Sequence, residues 1–117
     1  MKISKEFTFD AAHYLTKYHG KCENLHGHTY RLRVTVEGDL GEEDMVMDFA
    51  DLKGLVKEKV LGELDHGDLN KLFENPTAEL IAKWIWAKLE GADELGAARL
   101  YEVRLWETAD SFVTYRG

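Results

Sequence analysis

The sequence predicts an α+β fold, with strands at both ends of the chain and two helices between them in the order ββααββ. Two observations carry that prediction. Apolar residues alternate with polar ones in the first third of the chain and again near its end, the period of a half-buried strand. In between, apolar residues recur three and four positions apart, the period of a helix packed on one face.

In residues 3–13, Phe7, Phe9, Ala11 and His13 share one parity, and the segment reads as a strand. Residues 14–25 are polar, include Gly20 and read as a mobile loop. From His26 the alternation is clean. His26, His28, Tyr30, Leu32, Val34 and Val36 face one way, and Thr29, Arg31, Arg33, Thr35 and Glu37 the other. "GDLGEED" is a turn, followed by the short apolar piece "MVMDF". Asp48, with Asp51 three residues later, has the form of a capped helix start. Leu52, Leu55, Val56 and Val60 follow at helical spacing, and "GELDHGDLNKLFE" reads as a loop. Asn75-Pro76 reads as the opening of the second helix, because a proline in the first turn forfeits no hydrogen bond. Thr77 and Glu79 serve that first turn. Leu80, Ile81, Trp84, Ile85 and Leu89 form the stripe of this helix, with Trp84 in the core and Trp86 at the surface or an oligomer contact. Tyr101, Val103, Leu105 and Glu107 share a strand face, and "SFVTYR" is the last strand. Short connections favour antiparallel pairs with both helices on one face of the sheet. The exposed edges of so small a sheet invite pairing with another chain.

A length of 117 residues predicts one domain over 1–117, with 44% apolar residues to build its core. No apolar run approaches the ~20 residues of a membrane span, and "MKISKEFTFD" does not resemble a signal peptide. A single cysteine excludes an intrachain disulfide and points to a reducing, cytoplasmic setting. A net charge of −7 argues against a general nucleic-acid binder. Residues 14–36 nevertheless carry Lys17, Lys21, Arg31 and Arg33 against Glu23 alone, +3 locally and −10 for the rest. Such a zone can steer an anionic substrate, or it is an ordinary solvated surface.

His26 and His28 project from one face of a strand, about 6.5–7 Å apart at Cα, within reach of one metal ion. Antiparallel pairing of the first two strands brings His13 beside them. Three histidines on zinc leave a fourth position open for catalysis. Cys22 in that position would instead close the site and make it structural, the signature of a zinc-stabilised binding module. A domain with this much apolar content should fold without such a staple. Asp65-His66 is a candidate acid–base pair, since a carboxylate beside an imidazole orients its tautomer and makes it a better base. Neighbouring side chains often point apart, so adjacency alone leaves the pair open. Glu107 either grips a ligand rich in N–H donors or simply reaches solvent at a strand end. His19 reads as an exposed loop histidine.

Taken together, "FTFDAAH", "CENLHGHTY", "MVMDFADLK", "LDHGDLN", "NPTAELIAKWIW" and "VRLWET" resemble, in this order and along nearly the whole chain, the 6-pyruvoyl-tetrahydropterin synthase family. The short Cys-x-x-x-His-Gly-His spacing and the terminal "YRG" are similar to the carboxy-forming bacterial and archaeal branch of queuosine biosynthesis. Animal-type pyruvoyl-forming relatives usually have a longer gap. The resemblance implies the tunnelling fold, with subunits assembled as a trimer or a dimer of trimers and active sites between them. It implies one Zn2+ per subunit on His13, His26 and His28. It implies a pterin triphosphate substrate, 7,8-dihydroneopterin triphosphate, converted to 6-carboxy-5,6,7,8-tetrahydropterin, acetaldehyde and triphosphate. Cys22 would be the general base, Asp65 and His66 a proton relay, and Glu107, with Thr108 assisting, the anchor for the pterin's guanidine-like edge. The alternatives are a pyruvoyl-forming or sepiapterin-cleaving relative and the non-catalytic zinc module. No nucleic-acid or membrane partner is implied.

Overall fold

Two long alternating segments pair to form the centre of the sheet in the computed structural model, which describes residues 1–117. β1 (Lys2–His13) runs antiparallel to β2 (His26–Glu37), in register from Lys2 opposite Glu37 to His13 opposite His26. β4 (Arg99–Trp106) pairs with the other side of β2, and β5 (Phe112–Tyr115) with β4. All of these pairs are antiparallel, as the short connections predict. The sheet order is β3-β1-β2-β4-β5, where β3 (Gly67–Asp68) is a two-residue strand parallel to Ala11 and Ala12. The sequence reading left β3 inside a loop. Two residues carry no periodicity, and only docking on β1 defines them.

α1 (Phe49–Val56) begins at Asp48, whose side chain accepts a hydrogen bond from the Ala50 N–H at 2.8 Å. It continues through a π turn (Lys57–Leu61) into a last helical turn, Gly62–Leu64, so the helix absorbs the first residues of the expected loop. Leu52, Leu55, Val56, Val60 and Leu64 are fully buried along it. α2 (Ala78–Leu89) is capped by Thr77, whose Oγ1 accepts from the Leu80 N–H. Asn75-Pro76 therefore precedes the helix rather than opening it; the Thr77 hydroxyl accepts from a free N–H of the first turn, which proline, with no side-chain acceptor, cannot do. Leu80 faces solvent, and the buried stripe is Ala78, Ile81, Ala82, Ile85 and Leu89. Trp84 is only half-buried, edge-on to Phe73, while Trp86 packs on Tyr115 and donates to Glu90.

One core cluster joins the inner parity of β1, β2 and β4 to the buried faces of both helices. Phe9 stacks on Tyr30 with ring centroids 4.9 Å apart. Each fully buried large side chain contributes about 1.5–3 kcal/mol of transfer free energy. A bulge between Thr35 and Val36 pairs Leu100 with Val36 and Glu102 with Thr35, leaving Tyr101 as the extra residue. Leu100, not Tyr101, therefore shares the core face with Val103 and Leu105. Tyr101 lies under Lys2 and Arg116 instead. The loop 14–25 is latched to the 69–76 segment: Asn70 bonds both backbone groups of Tyr14, and Asn75 accepts from the Thr16 N–H. No helix is long and apolar enough to cross a membrane.

Candidate metal centre

Strand pairing assembles the site. His13 and His26 are direct partners across the β1–β2 ladder, and His28 follows two residues on, on the same face. Glu107 comes one residue after β4, on the parity of Leu105, and its carboxylate reaches the same pocket. One ligand atom from each of His13, His26, His28 and Glu107 lies within 4.8 Å of all the others. His13 Nε2 is 3.1 Å from His26 Nε2 and 3.3 Å from Glu107 Oε1, and His28 Nε2 is 3.1 Å from the same oxygen.

The hydrogen bonds around these rings favour a cation at their centre. His13 Nδ1 donates to the Pro76 carbonyl at 2.8 Å, and His26 Nδ1 donates to the Asn24 carbonyl at 2.7 Å. These bonds hold the protons on Nδ1 and aim the Nε2 lone pairs inward, as metal-ligating histidines require. His28 Nε2 is buried and makes no hydrogen bond, although Glu107 is close. Four acceptor atoms thus converge where one extra proton cannot satisfy them all. A divalent cation can, and the nitrogen and oxygen donor set fits one.

Without metal, a proton on His13 takes part of that role. Burial lowers the pKa of His13, but the Glu107 carboxylate and the Pro76 carbonyl outweigh it and raise His13 above its ordinary 6.5. Burial holds His28 below that value against the pull of Glu107. The bond from His13 holds Glu107 below its ordinary 4.5, helped by the charges of the histidines. Burial pushes the Tyr30 hydroxyl, 3.2 Å from His13 Nδ1, well above its ordinary range. The depressed carboxylate contributes stability that is present above pH 4.5 and is lost as pH falls through its folded value. The raised imidazole contributes stability that is full below pH 6.5 and is lost as pH rises through its folded value. Both act together between these limits. The metal-free protein is therefore expected to melt higher than metal-free Glu107→Gln by about 3 °C in that window, with the gap closing on either side. Thermal melts across pH check this; a gap that does not vary with pH refutes it.

Cys22 sits on a 3₁₀ turn (Lys21–Glu23), half-buried and outside the converging set. It lines a cavity of about 310 Å³ with Lys21, His26 and His28. Asp65 and His66 form the pair that adjacency left open, with His66 Nδ1 3.1 Å from Asp65 Oδ2. The backbone explains how. His66 adopts a left-handed φ of 59°, uncommon for a residue with a side chain, and its N–H bonds the Asp10 carbonyl. The Asp10 N–H in turn donates to Asp65 Oδ1, and this bond, more than the neighbouring imidazole, holds the Asp65 carboxyl below its ordinary range. The pair opens on a second cavity, about 460 Å³, bordered by Asp10, Gly27 and Thr29. Thr108 is exposed and donates to Asp110. His19 is exposed, as expected. Sequence reasoning passed over Asp10, which accepts from the Thr29 hydroxyl, and the carbonyls of Pro76 and Asn24. Parity alone could have flagged Asp10 as Thr29's cross-strand partner.

The profile of the family described as 6-pyruvoyl tetrahydropterin synthase matches residues 2–117. The chain is 46% identical to the 6-carboxy-5,6,7,8-tetrahydropterin synthase of Synechocystis sp., over 97% of this chain and 91% of that one. It is 44% identical to the dihydroneopterin monophosphate aldolase of Pyrococcus furiosus, over 91% and 89%. The solved 6-pyruvoyl tetrahydropterin synthase of Caenorhabditis elegans superposes with a TM-score of 0.86 at 30% identity, covering 100% of this chain and 95% of the other.

Proposed function

The chain belongs to the 6-pyruvoyl tetrahydropterin synthase family, and on that premise we propose that it is a zinc-dependent lyase of the carboxy-forming branch. It converts 7,8-dihydroneopterin triphosphate to 6-carboxy-5,6,7,8-tetrahydropterin, acetaldehyde and triphosphate, within queuosine biosynthesis in the cytoplasm. The observation that carries the reading is the convergence of His13, His26, His28 and Glu107, with Cys22 held apart beside them.

His13, His26 and His28 hold the metal. Zinc, when bound, supplies Lewis acidity to the substrate's side-chain hydroxyls and to enolate-type charge. Cys22 takes a carbon-bound proton, and Asp65 and His66 pass protons at the opposite side of the reacting carbon chain. Glu107 grips the pterin's guanidine-like edge through paired, charge-assisted hydrogen bonds, with Thr108 assisting from the adjacent turn. Lys17 and Lys21 offer positive charge to the triphosphate. The outer edge of β1 is unpaired before Ala11, and the outer edge of β5 is unpaired throughout, which supports assembly of subunits edge to edge into a trimer or a pair of trimers.

The likeness to the Pyrococcus furiosus aldolase favours a second reading, carbon–carbon cleavage without loss of phosphate. Incubating the zinc-loaded protein with dihydroneopterin triphosphate and weighing the products separates the outcomes. Acetaldehyde and free triphosphate in equal amounts support the proposal. Triphosphate without acetaldehyde marks a pyruvoyl-forming enzyme. A phosphorylated two-carbon aldehyde marks an aldolase. No turnover of either the triphosphate or the corresponding monophosphate at full zinc content marks a binding module.

A further inference from the structure

Glu107 stands against the histidines, whereas the proposed function asks its carboxylate to grip a pterin edge, and one carboxylate cannot do both at once. A tetrahedron with metal bonds of about 2.0–2.1 Å has ligand-to-ligand edges of about 3.3 Å. Three of the six separations among His13, His26, His28 and the Glu107 oxygen are 3.1–3.3 Å, close to that edge, and the others lie within 4.8 Å. Glu107 Oε1 is therefore placed as a fourth donor, and three histidines with a carboxylate make a closed site. A closed four-ligand site has no open position for a substrate oxygen: either the metal expands to five ligands or one donor leaves. Three of the donors cannot leave easily. His13 is buried on β1 and tied to Pro76; His26 is tied to Asn24; His28 lies inside β2. Glu107 can. It stands beyond the end of β4, its backbone N–H is held by the Ser111 carbonyl, its side chain is 31% exposed, and it engages the histidines through Oε1.

We propose that Glu107 is an exchangeable ligand: without substrate its carboxylate closes the metal's fourth position, and the pterin edge draws it away, opening that position only when a pterin is in place. This rests on the pterin-binding reading of the preceding section. The device would spare the enzyme an open, reactive metal in the absence of substrate. It would also make the pterin ring, and not the side chain alone, the trigger for activation. By linkage, pterin binding and occupation of the fourth position must then favour each other equally.

The test uses the cobalt-substituted enzyme, whose visible absorption reports the fourth position. The probes are azide and 7,8-dihydropterin, which has the pterin edge but no side chain. In the wild type, azide is expected to bind at least about 10-fold more tightly when dihydropterin is present. In Glu107→Gln, azide should bind tightly without dihydropterin, and the coupling should disappear. The exchange is overturned if dihydropterin binds the wild type but leaves its azide affinity unchanged. That result would hold whether Glu107 is a permanent ligand or never a ligand, and the azide affinity of Glu107→Gln separates the two. Failure of dihydropterin to bind at all, read by fluorescence titration, overturns the pterin reading itself. The wild-type arm decides the exchange even if the variant loses metal.

Discussion

Cys22→Ala is expected to lower turnover by about 10³-fold while zinc stays at one per chain and the fold survives. Cys22 is not among the side chains whose ligand atoms converge with those of His13, His26, His28 and Glu107. Its loop is held by backbone, with the Leu15 N–H on the Cys22 carbonyl at 2.8 Å, so removing the sulfur removes no tether. What is lost is the one group with thiol chemistry in the cavity shared with Lys21, His26 and His28. General-base catalysis contributes about 10²–10⁴-fold, which sets the size of the loss. Acetaldehyde release and metal analysis on the same preparation provide the measurement. Loss of zinc together with unfolding would make Cys22 a structural ligand and return the protein to the class of zinc-stabilised modules.

The convergence of the three histidines is legible in the sequence because strand parity is a short-range rule with a long-range result. Once His26 and His28 share a face and β1 pairs antiparallel with β2, the place of His13 follows, and His13 stands opposite His26. The same rule placed Glu107 on the inner side but could not say how far its side chain would reach. It failed at Tyr101, because a bulge depends on the partner strand and leaves no periodic trace. Asp65-His66 was visible as a pair of residue types. Its geometry was not, since it depends on the left-handed backbone at His66 and on two residues of parallel pairing with β1. Pro76 was read as a helix opener, whereas its carbonyl orients His13 from 63 residues away. A hydrogen bond from a side chain to distant backbone is invisible to pattern, whereas the bond of His26 to the Asn24 carbonyl two residues away is local.

Mixing Cys22→Ala chains with His66→Ala chains is expected to restore activity that neither variant has alone. Within one chain, Cys22 and His66 open on different cavities that share only His28. Cys22 lies with His26 and His28, the inner parity of β2, while His66 lines a cavity formed mainly by Asp10, Ala12, Gly27 and Thr29, the outer parity of β1 and β2, which reaches Ala11 and His28 at its margin. The thiol and the imidazole therefore open on separate cavities of one chain, joined only at His28. Two free sheet edges give a second chain a place to supply the missing half. If each site takes Cys22 from one subunit and Asp65–His66 from its neighbour, random reassembly of equal amounts gives an intact site when both contributions are unmutated. Each has an even chance, so about a quarter of wild-type activity should return, against about 10³-fold loss in the Cys22→Ala parent. Co-refolding the two variants and assaying acetaldehyde release gives the number. No recovery, with both variants folded, zinc-loaded and co-assembled, would place the whole catalytic set within one chain and require a movement that brings His66 to Cys22.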